Sequence, residues 1–422
     1  MALSALPEPA LSFLIPSQHD ALNIQCRVYH PDLFLSESLT QPSYLNQRAV
    51  IIAHPYAVLG GSMDDRIVSQ IALICLREGY IVGTFNFRGA GESEGSTSWQ
   101  SKPEQNDYMS VIGFMTYYLH YLSLPQLQQI NQLQSDVDHV PIHNICDPQK
   151  FELNDSLDKD QLNTWKTSRT RLLLAGYSYG ALITMSLPAT IQSILEPFEE
   201  PLVNSTHGRI RQKARDLAKQ QISSTKGPMY LSNQDQPQKS MSIVAQGPGE
   251  CPYDSWLDSR LSYSSPKNSM NSGSFTFQQN YRSENSSDYS PFYESNKLNE
   301  TLPQIKIAGS IDVAYLLVSP IQGIICDLLT FWSFKPWRQR NSLTDRDIKL
   351  KLSPTLAIYG EGDFYVSAKS IQDWAEKLAV PDIGQETNQF KYVEISGAGH
   401  FWNNESATRL WAEIRIFVQK LK

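Results

Sequence analysis

The run Gly176-Tyr177-Ser178-Tyr179-Gly180 sets one serine hydroxyl midway between two glycines. An apolar stretch, Leu172-Leu173-Leu174-Ala175, leads into it, and the helix-forming Ala181-Leu182-Ile183-Thr184-Met185 follows at once. Strand, tight turn and helix in that order make a nucleophile elbow. The turn leaves no room for side chains two positions before and two after the serine, which suits glycine at 176 and 180. It also lifts the Ser178 hydroxyl above the sheet edge at a helix N-terminus. The chemistry such a residue performs is nucleophilic attack. A second match, Gly91-Glu92-Ser93-Glu94-Gly95, lacks this context. Two glutamates flank Ser93 and would oppose a developing alkoxide, and the residues after it form a loop. Ser93 is therefore read as a decoy.

A serine hydroxyl needs a base to take its proton and a third group to fix that base. For a serine in this setting the chain order is serine, acid, histidine. His400 and His207 are the histidines that follow Ser178, and His207 falls in a polar insert. His400 sits on Ser396-Gly397-Ala398-Gly399-His400, just after the last expected strand, and is the candidate base. Asp363, in Gly360-Glu361-Gly362-Asp363, follows the preceding strand and is the candidate acid, with Glu361 as its rival. The oxyanion of an acyl-transfer intermediate needs two fixed N–H donors. The candidates are the backbone amide of Tyr179 and that of Tyr56 or a close neighbour, on a loop that Gly60-Gly61 keeps compact.

These residues must be carried by alternating strands and helices. Leu11 to Ile15 and Asn23 to Tyr29 read as an opening antiparallel pair, and Ala49 to Ala53 as a buried strand. Asp64 or Asp65 can cap a helix bearing Ile67, Ile71 and Ile74 at helical spacing. Tyr80 to Phe87 is the next strand, and Glu104 to Leu122 the next helix. The elbow helix is expected to reach about Ile194, bent at Pro188. Val313 to Ser319, Pro354 to Tyr359 and Phe390 to Ile395 complete the strands, with helices to Leu378 and from Glu405 to Lys420. This alternation predicts an α/β fold whose parallel sheet has helices on both sides.

Residues 1–422 are read as one domain carrying two insertions. Residues 126–168, rich in Gln, Asp and Asn, form a surface insertion; His139 and His143 lie there, but no helical pattern gathers them as metal ligands. Residues 196–305 form the other. It opens with Arg209, Arg211, Lys213, Arg215 and Lys219, read as a solvated helix face, and from about 223 to 299 its Ser, Asn, Gln and Pro content predicts disorder. A net charge of −7 argues against nucleic acid as a partner. Cys26, Cys75, Cys146, Cys251 and Cys326 are odd in number and scattered, so neither a disulfide framework nor a zinc site is expected. With no basic-then-apolar leader, the expected location is cytoplasmic. Val313 to Phe334 is broken by Pro320 and Asp327 and reads as strand plus short helix, not as a membrane span. Trp332, Phe334 and Trp337, interleaved with cations, give a weaker reading of membrane contact.

With these residues in place the chain resembles the α/β-hydrolase superfamily. Within it, the chain is similar to a serine aminopeptidase-like branch with a His-Pro-x-x-x-x-Gly-Gly loop, here His54-Pro55 with Gly60-Gly61, and Phe87-Arg88-Gly89-Ala90-Gly91-Glu92-Ser93 after the next strand. The resemblance covers residues 45–125, 168–195 and 310–420. It implies an eight-stranded, mostly parallel sheet, with Ser178, Asp363 and His400 as a triad and Ser93 as part of a structural loop. The function expected is a cofactor-free serine hydrolase that cleaves a carboxylic ester or thioester of a small-molecule acyl substrate through an acyl-enzyme. The alternatives are a peptidase of the same fold and a non-catalytic scaffold that captures a protein partner through the long insertion.

Overall fold

Eight strands form one sheet in the order β1-β2-β4-β3-β5-β6-β7-β8. They are β1 (Leu11–Pro16), β2 (Asn23–Tyr29), β3 (Arg48–Ala53), β4 (Ile81–Phe85), β5 (Thr170–Tyr177), β6 (Ile311–Val318), β7 (Thr355–Gly360) and β8 (Phe390–Ile395). β1 and β2 pair antiparallel, as do β2 and β4; every other pairing is parallel. The computed structural model describes residues 5–31, 47–98, 100–138, 169–225, 300–321, 344–365, 367–381 and 388–421. All belong to one compact unit. His139, His143, Cys146, Cys251, Cys326, Trp332, Phe334, Trp337 and the segment 226–299 lie outside the described residues.

The central strands are apolar on both faces because helices cover both. Ala49, Ile51 and Ala53 of β3 face one core cluster, while Val50 and Ile52 face the other. One face is covered by α1 (Arg66–Arg77) and by a closing helix (Asn404–Lys420). Of the two candidate caps for α1, Asp65 fills the role: its carboxylate accepts from the amides of Ile67 and Val68. The other face is covered by α2 (Lys102–Asp138), α3 (Tyr179–Ser186), α4 (Ile191–Glu199) and α5 (Thr206–Thr225). This is the eight-stranded, mostly parallel α/β-hydrolase fold.

Three expectations are corrected. First, α2 runs to Asp138 and does not stop at Leu122, so residues 126–138 are helix and not loop. Their polarity suggested a loop, but Gln and Leu are good helix formers. Second, the elbow helix is not one bent rod. It ends at Ser186; Leu187 is extended, as the residue before a proline tends to be, and Thr190 caps a new helix through the Ser193 amide. Third, Arg211 is not on a solvated face. It is buried, with its guanidinium donating to the carbonyls of Phe198 (2.9 Å), Glu199 (2.7 Å) and Pro303, and lying over the Tyr117 ring. A cation there satisfies carbonyls that the end of α4 leaves unpaired. The chain returns at Glu300 beside the start of α5: Val203 N donates to Glu300 O, and Leu202 bridges Thr301.

One buried amine ties a further helix to the elbow. On α6 (Asp345–Leu352), Lys349 donates from Nζ to Leu187 O (2.7 Å) and Thr184 O (3.3 Å), capping the C-terminus of α3. Burial, then repulsion from Arg346, lowers its pKa from 10.5 to about 7. The unfolded chain thus keeps a proton that the folded chain gives up between these values, so this group's contribution to stability rises with pH across that window and is lost as pH falls toward 7. Between pH 7.5 and 9.5 the stability of wild type relative to Lys349→Met should rise by about 1.4 kcal/mol per pH unit. Urea denaturation of both proteins across that range measures it, and parallel pH profiles would refute it.

Candidate active site

The carboxyl ends of the parallel strands share one edge of the sheet, where open α/β folds bind ligands. Ser178 directly follows β5 and precedes α3. Its backbone has φ 57° and ψ −116°, a strained conformation for a residue with a side chain. Two close approaches explain the glycines around it. A Cβ at Gly176 would collide with the Gly180 carbonyl group, and one at Gly180 with the carbonyls of Ala53 and His54. The turn is thus closed on itself and pressed against the loop after β3.

The three sequence-derived side chains converge. Ser178 Oγ lies 2.8 Å from His400 Nε2, and His400 Nδ1 lies 2.7 Å from Asp363 Oδ2. All three are buried. The carboxylate only accepts, so Nδ1 carries the imidazole proton and Nε2 is left to accept from the serine hydroxyl. Asp363 is held by the Tyr365 amide, which donates to Oδ1 (3.0 Å). Glu361, the rival acid, points to solvent two residues earlier. His207 stands on α5 with its ring against Phe198. Such a relay can draw a proton from Ser178 as its oxygen attacks and return it to a leaving atom.

The loop after β3 meets the elbow through ring contact between Tyr56 and Tyr179, centroids 5.0 Å apart. The Tyr179 amide is at the first position of α3, where no intrahelical acceptor exists. The loop itself folds over a short 3-10 turn, Ala57–Leu59, closed by the Gly61 amide on Tyr56 O. His54 braces its start. Its Nδ1 lies 2.6 Å from Pro55 O, and its Nε2 accepts from the Phe87 amide at 2.9 Å. Burial lowers its pKa to about 4, so the ring is neutral and can make both contacts at once. Ser93, of the second Gly-x-Ser-x-Gly match, is buried in the neighbouring turn, donating to Asn86 O and accepting from the Gln25 amide. Arg88 beside it forks onto Asp107 and reaches Asp20.

Sequence reasoning missed two side chains that hold the histidine loop. The Tyr177 hydroxyl donates to the backbone carbonyl of His400 (2.9 Å), and its ring stacks on the imidazole. Trp402 donates from Nε1 to Ser319 Oγ (3.0 Å), and both residues adopt positive φ, 53° and 46°. Tyr177 occupies an unspecified position of the Gly-x-Ser-x-Gly pattern, so only the tertiary contact reveals it. Among the described residues no three His, Cys, Asp or Glu side chains gather as a metal site, and no helix is long and apolar enough to cross a membrane. A cavity of about 490 Å³ between Arg171, Thr190, Tyr315 and Lys349 lies where β6 and β7 begin, at the edge away from Ser178.

No family model and no curated protein matches the chain. Among solved structures it is similar to an α/β serine hydrolase homologue from Coxiella burnetii, at 13% identity over 99% of each chain and a TM-score of 0.39. It is also similar to an α/β serine hydrolase without lid from Xanthomonas campestris, at 14% identity, 99% and 98% coverage and a TM-score of 0.40. An esterase from Pyrococcus furiosus follows at 11% identity, 97% and 89% coverage and a TM-score of 0.39.

Replacing Tyr177 by Phe removes one hydrogen bond and leaves the ring. Losing the bond that aligns the imidazole should lower kcat for turnover at Ser178 about 3- to 10-fold while KM stays within about twofold. Steady-state kinetics beside a melting curve separate this from a loss of stability alone. The strand order and the serine in its strained turn give this chain the α/β-hydrolase fold.

Proposed function

We propose that the protein is a serine hydrolase that cleaves a carboxylic ester or thioester through an acyl-enzyme. The supporting observation is the continuous, buried hydrogen-bonded chain from Ser178 Oγ through the imidazole of His400 to Asp363. Ser178 Oγ attacks the carbonyl carbon as its proton passes to His400 Nε2. The resulting oxyanion is held by the backbone amides of Tyr179 and Tyr56. Asp363 accepts from Nδ1–H, fixing that tautomer and stabilising the imidazolium. Collapse of the tetrahedral intermediate breaks the bond to the leaving oxygen or sulfur, which departs with the Nε2 proton. Water then attacks the acyl-serine, giving its proton to Nε2, and the second collapse returns that proton to Ser178 Oγ and frees the acid. None of these steps requires a cofactor, and the substrate is a small acyl compound.

A fluorophosphonate probe should label wild type and spare Ser178→Ala, while turnover of p-nitrophenyl esters is lost in the variant. Labelling of both proteins, or of neither, would overturn the proposal. Asp363→Asn should keep the fold and lower kcat by about 10⁴, because the wrong tautomer then faces Ser178. Stopped-flow or long-timecourse ester assays read that loss.

A further inference from the structure

Large apolar side chains left in water gather at the mouth of this site. Phe364 and Phe401 are 71% and 63% exposed, and they are the only exposed aromatic residues among those described. Each immediately follows a member of the relay, Asp363 and His400 respectively. Their ring centroids are 5.9 Å apart, and half-buried Tyr365 lies 5.7 Å from Phe401 and 4.8 Å from the imidazole. Phe401 itself stands edge-on to His400 at 5.5 Å. On the loop after β3, Val58 and Leu59 of the 3-10 turn are 66% and 69% exposed. Single exposed apolar residues need no explanation, but rings in mutual contact beside a reactive group form a surface that gains by being covered.

Charge narrows what covers it. The segments 54–62, 361–365 and 396–403 that bear these side chains hold no Lys or Arg, and Glu361 is exposed among them. A leaving group bearing phosphates, as in an acyl-nucleotide thioester, would meet no cation on these segments. The chemistry sets the side. His400 Nε2 must protonate the leaving atom, so the leaving group departs past the imidazole, where the rings of Tyr365 and Phe401 lie.

Building on the serine-hydrolase reading, we propose that Phe364 and Phe401, backed by Tyr365, seat the leaving alcohol of the substrate and select an ester of an uncharged, apolar alcohol. The aromatic pair is a specificity element and takes no part in bond making. Val58 and Leu59 belong to the turn that follows Tyr56, the proposed oxyanion donor, and are not part of this seat.

The test compares benzyl acetate with ethyl acetate, whose alcohols differ far more in apolar area than in acidity. Covering even part of a benzyl ring should make kcat/KM at least about tenfold higher for benzyl acetate in wild type. In the double variant Phe364→Ser, Phe401→Ser this ratio should fall below about threefold. The ratio of ethyl hexanoate to ethyl acetate, which varies the acyl side, should keep its wild-type value in the variant. Phe401→Leu preserves an apolar surface and should keep most of the benzyl preference, which guards against misfolding of the double variant.

Fluorophosphonate labelling of every protein separates the two readings. Wild type that is labelled at Ser178 but shows no benzyl preference overturns the leaving-group seat and leaves the hydrolase reading standing. A change confined to the hexanoate ratio also overturns it, placing the rings on the acyl side. An unchanged benzyl ratio with lost binding to phosphatidylcholine vesicles overturns it as well, assigning the rings to a lipid surface. Absence of both labelling and turnover in wild type overturns both readings.

Discussion

Ser178 is held with φ at 57° in a backbone region that sterically disfavours any residue with a side chain. Such strain costs about 1–3 kcal/mol and persists only where the surroundings over-determine it. Here they do so on three sides. The preceding strand is locked in ladders with β3 and β6, and the Ser178 amide itself donates to Val318 O. The glycines at 176 and 180 let backbone meet backbone where any Cβ would collide. Behind the turn, α3 is packed into the core along its whole length and capped at its far end by the Lys349 amine. Relaxing the serine would disturb the sheet, the loop after β3 and this helix together.

The histidine is positioned less by its own loop than by what grips that loop. Its carbonyl is held from the end of β5 by Tyr177, and the indole two residues on is held from the end of β6 by Ser319. Amides of the β7 loop add to this, since Glu361 donates to Ile395 O and Gly362 to Ala398 O. Contacts from β5, β6 and β7 therefore fix a residue that follows β8. The imidazole and the serine hydroxyl consequently share one frame, and the 2.8 Å separation of Oγ and Nε2 is a property of the sheet more than of either loop.

How much was legible in the sequence follows from the range of the interactions. The elbow is written in five adjacent residues, so Gly-x-Ser-x-Gly between apolar and helix-forming runs was enough to find it. Asp363 and His400 were legible because each follows a strand, and parallel strands present their carboxyl ends at one edge. Glutamates flank Ser93 in the sequence, and in the fold its hydroxyl is bonded to Asn86 O and the Gln25 amide and does not face the imidazole. Arg211 was not, since its partners Phe198, Glu199 and Pro303 come from three places along the chain and a basic run on a helix ordinarily faces water. Nor was the far end of α2, where polar composition and helix propensity pointed in opposite directions. The break after Ser186 hung on whether Pro188 bends or ends a helix, a choice settled by tertiary packing and the Thr190 cap.

The return of the chain beside Val203 has a practical corollary for protein engineering. Residues 206–225 form 20 residues of helix, about 30 Å of rise, and Glu300 is hydrogen-bonded back near the beginning of that rod. The two attachment points of the segment between them are therefore separated by about one domain diameter. A truncated version joined by a tripeptide would tear either the Leu202–Thr301 bridge or the last turns of the helix. At about 3.3–3.6 Å per extended residue, a replacement linker must retain about nine residues merely to span the gap without strain.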